Sequence, residues 1–138
     1  SSPVQIKFAP QWIPQAQFAG YYVAKEKGFY KEQGLDVTIL RGGPALNVTN
    51  ALQNGTVDFG SLWLSTGIQL RSKGIHLVNI AQVVQRSALM LVAKTSSGIS
   101  KPEDMRGKKV SLWGGDFQLQ PSTFFTKYNI DPEIIPQN

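Results

Sequence analysis

Short apolar runs alternate with helix-like segments along this chain, and a glycine or proline stands at most of the junctions. That order restricts the fold more than any other feature, because neighbouring parallel strands need a crossover of about a dozen residues or more, usually a helix. Val4-Gln5-Ile6-Lys7-Phe8 alternates apolar and polar side chains, the pattern of a half-buried strand. Trp12-Ile13-Pro14 reads as a loop. Residues 17–27, with Phe18, Tyr21, Tyr22, Val23 and Ala24, read as a helix with a broad apolar face. A short helical stretch over 29–33 lies between Gly28 and Gly34. Strands are predicted over 36–40 and 57–60. Between them lie a turn at Gly42-Gly43-Pro44 and a helix over about 45–54, stopped by Gly55. A further helix is predicted from an N-cap at Ser65 or Thr66 to about Lys73, then strands over 75–84 and 89–94.

After Thr95-Ser96-Ser97-Gly98 the pattern restarts. It predicts a helical turn over 102–105, a strand over 109–113, a helix near 118–128 ended by Ile130-Asp131-Pro132, and the start of a strand over 133–135. The expected class is α/β, a mainly parallel sheet flanked by helices. The expected organisation is a first α/β lobe over 1–87, a hinge or crossover over 88–95, and the opening of a second, incomplete lobe over 96–138. One strand–helix unit leaves apolar faces uncovered and strand edges unpaired. Either more chain or a second copy, by swapping, supplies the missing surface.

Composition narrows the function classes. Apolar residues make up 41% and charged residues 17% of 138, the balance of a globular protein. No apolar run approaches the roughly 20 residues that span a bilayer. The net charge of +5 is scattered, with bases often beside acids, as in Lys25-Glu26-Lys27. No basic stripe or nucleic-acid motif appears, so no nucleic-acid partner is expected. With no cysteine and one histidine, His76, no metal cluster is expected. The acids form no recognisable acid–base pair. Ser1-Ser2-Pro3 reads as a mature or trimmed start, with any export signal already removed.

In open α/β sheets, ligands bind in the crevice outside the carboxyl ends of the strands. Candidate residues are therefore sought on the turns that follow strands. Trp12 lies just past the first strand, where an indole can stack on a planar solute or pack as a core residue. Gln15 and Gln17 carry amides that both donate and accept, suited to a heterocycle, to solvent or to a helix cap. Tyr21 sits one turn further, as ligand contact or core. Trp63 follows the third strand and can form a second aromatic wall. Ser65 and Thr66 offer hydroxyls at a helix start, for a polar ligand or for capping. Trp113-Gly114-Gly115-Asp116 repeats the strand–glycine–helix arrangement, with Asp116 either meeting an amino group or capping the helix. No catalytic residue and no metal ligand is expected. Three tryptophans near presumed crevice turns favour a flat heterocycle, whereas a sulfonate or nitrate calls for an arginine such as Arg41 or Arg86.

The stretch Trp-Ile-Pro-Gln-Ala-Gln-Phe-Ala-Gly-Tyr-Tyr-Val-Ala-Lys-Glu-Lys-Gly-Phe-Tyr-Lys-Glu-Gln-Gly-Leu-Asp-Val over residues 12–37 resembles the NMT1/THI5-like solute-binding family. Asn54-Gly55-Thr56-Val57-Asp58-Phe59-Gly60, the 102–110 phrase and Trp113-Gly114-Gly115-Asp116-Phe117 match it in the same order. The resemblance implies a type II periplasmic-binding-protein fold, two α/β lobes with solute held between them. It places Trp12 at a matching family position. It further implies an extracytoplasmic solute-binding protein, periplasmic or extracellular, with membrane anchoring left open, that serves an ABC importer's permease. The implied solute is a planar heterocycle such as a thiamine-pyrimidine precursor. Relatives that bind alkanesulfonates, taurine or nitrate, and sensory modules of the same fold, remain alternatives. Some fungal members make the thiamine pyrimidine and carry a cysteine-rich motif. A chain without cysteine is on that ground expected to bind without catalysing and to need no cofactor.

Overall fold

The computed structural model describes residues 2–137, with every side chain among them except that of Asp116. Strand β1 (Val4–Ala9) lies at the centre of a three-stranded parallel sheet, with β2 (Leu35–Ile39) on one side and β3 (Phe59–Gly60) on the other. The register pairs Val4 with Leu35 through Phe8 with Ile39, and Phe8 with Phe59. Between β1 and β2 run a 3₁₀ turn (Ala16–Phe18), α1 (Ala19–Glu26) and α2 (Phe29–Glu32). Between β2 and β3 runs α3 (Val48–Gln53), and α4 (Leu64–Ser72) follows β3. Helical crossovers thus join parallel strands, as the alternating sequence pattern requires.

The core under this sheet is small and aliphatic. Ala9, Val48, Ala51 and Val57 are buried together, with Leu40, Leu46, Leu52 and Leu62 packed around them. Val48 and Ala51 lie three residues apart and so share one face of α3. That helix starts later than residue 45. Gly43 and Leu46 first close a turn, and Asn47 then caps the helix, its side-chain oxygen accepting a hydrogen bond from the Asn50 N–H at 3.0 Å. The helix expected to begin at a Ser65 or Thr66 cap begins at Leu64, with Trp63 at the N-cap position. Ser65 and Thr66 stand inside its first turn.

The chain divides into two compact units, one ending at Ile75 and one beginning at His76. In the second unit β4 (Lys109–Trp113) pairs in parallel with β5 (Glu133–Gln137), and α5 (Leu119–Lys127) forms the crossover. Met105, Phe125 and Ile130 are its buried core, joined by Ile99, Val110, Leu112, Phe124 and Tyr128. Asn129 adopts φ 50°, and the Ile130 N–H donates to the Phe125 carbonyl at 2.9 Å, which closes α5.

The strands expected over 75–84 and 89–94 are not formed. Residues 75–94 have no regular structure, and every residue from 78 to 98 is exposed. Their apolar, β-branched pattern expresses a local preference, and a strand also needs a partner edge. The described sheets, ordered β2-β1-β3 and β4-β5, give these residues none.

Candidate functional site

Three turns meet at the carboxyl end of the first unit's sheet. The turn after β1 carries Pro10, Gln11, Trp12 and Ile13. The turn after β2 carries Gly42 and Gly43. The turn after β3 carries Ser61, Leu62 and Trp63. Backbone contacts lock them together. The Ser61 N–H donates to the Ala9 carbonyl at 3.1 Å, and the Gln11 N–H donates to the Ser61 hydroxyl oxygen at 2.9 Å. Gly42 is buried, and a Cβ there would fall 2.0 Å from the Pro10 carbonyl oxygen and 2.4 Å from that of Trp12. Only a residue without a side chain fits between these carbonyls. At Gly43, where φ is 129°, a Cβ would fall 2.7 Å from the Ile13 Cγ2.

This clamp leaves both indoles at the surface. Trp12 is 45% exposed and Trp63 is 42% exposed, at the sheet end where open α/β sheets hold ligands. Ser65 and Thr66 are half-buried just beyond Trp63. Gln15 and Gln17 are exposed, and the Gln17 side-chain NH₂ donates to the Gln15 side-chain oxygen at 2.8 Å. Two amides joined in this way form one unit with a remaining donor and acceptor capacity toward solvent. Tyr21 is half-buried, its ring centroid 4.6 Å from Phe8 and 6.5 Å from Phe18. It forms part of the packing between α1 and β1. Burial, and then the neighbouring Tyr21, raise the Tyr30 phenol above its usual pKa.

Trp113 and Asp116 belong to the second unit. Trp113 ends β4 and is 57% exposed, and the Asp116 side chain lies outside the described residues. The second unit has a cavity of about 320 Å³ lined by apolar Leu112, Phe125, Pro132 and Ile134 and by polar Gln118, Ser122 and Asp131. Trp113 is not part of its lining. Sequence reasoning missed Ser61, whose hydroxyl ties the Trp12 turn to the Trp63 turn. A lone serine after a two-residue strand carries no signal that could have marked it. Among the described residues, no three His, Cys, Asp or Glu side chains gather closely enough to hold a metal ion. Among them, too, no helix is long and apolar enough to cross a membrane.

Comparison with known proteins places this geometry in a family. The chain is 26% identical over 130 residues to the 4-amino-5-hydroxymethyl-2-methylpyrimidine phosphate synthase THI11 of Saccharomyces cerevisiae, covering 94% of this chain and 38% of that protein. It is 30% identical over 103 residues to the synthase of the same name from Legionella pneumophila, covering 75% and 33%. It is 32% identical over 120 residues to the Bacillus subtilis protein named "Putative binding protein YtlA", covering 83% and 36%. The chain therefore spans little more than a third of the length of the curated relatives it matches. These names correct the expectation of a protein that binds without catalysing, since relatives in yeasts and in Legionella are synthases. That expectation leaned on the missing cysteine. A residue type absent from 138 positions says nothing about the remainder of relatives roughly two and a half times as long. Residues 15–135 match the NMT1/THI5 like family, and with the parallel α/β architecture and the tryptophan-bearing turns already described, this chain belongs to that family.

Proposed function

We propose that the first unit captures a small, flat heterocycle of the thiamine-pyrimidine type at the carboxyl end of its sheet, with Trp12 and Trp63 as aromatic walls. The observation that carries this reading is the pair of exposed indoles on two turns tied by the Gln11–Ser61 hydrogen bond. A planar ring gains by offset or edge contact with an indole, and by burying apolar faces that water solvates poorly. The Gln15–Gln17 pair, Ser65 and Thr66 supply polar groups for ring nitrogens and substituents. The synthase relatives are named for a pyrimidine, which supports the ligand class. In the proposed setting the protein is extracytoplasmic, periplasmic or extracellular, and hands its solute to an ABC permease. The relative named for binding supports the capture step.

A second reading is favoured by the synthase names: the same turns hold the pyrimidine as its phosphate, the product of catalysis. A thermal-shift screen separates the ligand classes. The free pyrimidine, its phosphate, taurine and nitrate are each added to the chain. A ligand at 100 times its Kd adds about 2.7 kcal/mol of stability, which raises the melting temperature by several degrees. The proposal expects the free pyrimidine to give the largest shift. A larger shift with the phosphate supports the second reading. A shift with taurine or nitrate alone rules out both.

A further inference from the structure

We propose that Asn54 is a site of spontaneous modification, where the turn that closes α3 carries the asparagine through a succinimide to aspartate and isoaspartate. Asn54 is the one asparagine in the chain that precedes a glycine. Val48, Ala51, Ile80 and Ile130 follow Asn47, Asn50, Asn79 and Asn129, and each has a Cβ that crowds the amide between the two residues. Glycine alone lacks that atom. Asn54, Gly55 and Thr56 are all exposed. At Gly55 φ is 74°, and nothing lies within 4 Å of the place a Cβ would take. Among the described residues the Gly55 N–H makes no hydrogen bond, so no partner is given up when its nitrogen moves.

The turn also prepares the electrophile. The Thr56 N–H donates to Asn54 Oδ1 at 3.0 Å, and the Thr56 hydroxyl donates to the same oxygen. These bonds fold the Asn54 side chain back over the Gly55 peptide, as in an Asx turn. They polarise its carbonyl and stand ready for the charge that develops on Oδ1 during attack. Hydroxide removes the Gly55 amide proton, and the nitrogen bonds to Asn54 Cγ while the carbonyl electron pair moves to Oδ1. The pair returns, the Cγ–Nδ2 bond breaks, and the side-chain nitrogen takes a proton from water and leaves as ammonia. Water then opens the imide, at Cγ to give aspartate or at the backbone carbonyl to give isoaspartate. No oxidant or reductant takes part. Asn47 is an internal contrast. Its side-chain oxygen also accepts a backbone N–H, from Asn50 at 3.0 Å, but Val48 follows it.

Conversion acts on the core of the first unit. A carboxylate at residue 54 stands against the last carbonyls of α3, where an anion is unfavourable. Isoaspartate also adds a carbon to the backbone that the 3.2 Å bond from the Val57 N–H to the Ala51 carbonyl spans. Ala51 and Val57 are both core residues. The test follows the 138-residue chain through weeks in neutral and in mildly alkaline buffer, by peptide mapping with mass spectrometry and an isoaspartate assay. Asn54 should convert ahead of Asn47, Asn50, Asn79 and Asn129, and faster at the higher pH. Thr56→Val should slow conversion of the folded chain by about threefold or more, the worth of one hydrogen bond, and Thr56→Ser should restore it. In urea, where the turn is absent, Thr56→Val should cause no slowing. Circular dichroism checks that each variant folds. The fully converted chain should melt below the fresh one. An Asn54 no faster than the other asparagines overturns the proposal. Equal rates in Thr56→Val and the native chain, or equal slowing in urea, overturn the role of the turn. A converted chain that melts with the fresh one overturns the effect on the core.

Discussion

Gly42 shows how a single backbone position sets the site. It lies between two carbonyl oxygens, at distances where no Cβ fits, and one of them belongs to Trp12. Replacing it must move the Trp12 turn or strain it. Gly42→Ala should destabilise the first unit by about 1–3 kcal/mol in urea unfolding, the usual cost of overpacking. Gly67 lies within α4 and a Cβ there meets nothing within 4 Å, so Gly67→Ala should stabilise by about 0.5–1 kcal/mol. Equal effects at the two glycines would contradict the clamp. The sequence made this site only partly legible. Gly42-Gly43-Pro44 was readable as a turn, and Trp12 and Trp63 as residues at strand ends. Ser61 was not, because its role depends on a neighbouring turn fifty residues away in sequence. The Gln15–Gln17 bond and the packing of Tyr21 on Phe8 are likewise products of tertiary placement.

At the level of elements, local signals succeeded where partners were local. Strand β4 has the predicted bounds, and α5 falls within one residue of its predicted ends, because apolar spacing and the Asn129–Ile130 closure are written in adjacent residues. Residues 75–94 carried an equally strong strand pattern and formed none, since pairing is a property of two segments and the pattern reports one. The 3₁₀ turn Pro102–Met105 gives an element-scale prediction. Asp104 accepts hydrogen bonds from the Ser100 N–H at 3.0 Å, the Ser100 hydroxyl at 3.0 Å and the Lys101 N–H at 3.1 Å. These bonds, that from the Ser100 backbone foremost, hold its carboxyl below its ordinary pKa. A lowered folded-state pKa favours the native state above the unfolded carboxylate range. That contribution fades as pH falls through the folded value. The stability difference between the native chain and Asp104→Asn should therefore be largest near neutral pH and shrink on acidification, measured by urea unfolding across pH. A difference that stays constant with pH would contradict this.

On the scale of the molecule, the fold and the family agree. The chain matches the NMT1/THI5 like family over residues 15–135, and it has the parallel strands joined by helices that its alternating sequence pattern requires. The family contains synthases named for a pyrimidine and a protein named for binding, and the proposed function gives this chain a surface that recognises a small ring. The central claim is that the Trp12 and Trp63 turns form that surface. Calorimetric titration of the chain with 4-amino-5-hydroxymethyl-2-methylpyrimidine tests it most directly, repeated on Trp12→Ala and Trp63→Ala. The account predicts saturable binding to the native chain and at least a tenfold weaker Kd in each variant, about 1.4 kcal/mol or more, with folding intact. Binding of equal strength in all three proteins, or no binding to the native chain, would contradict it.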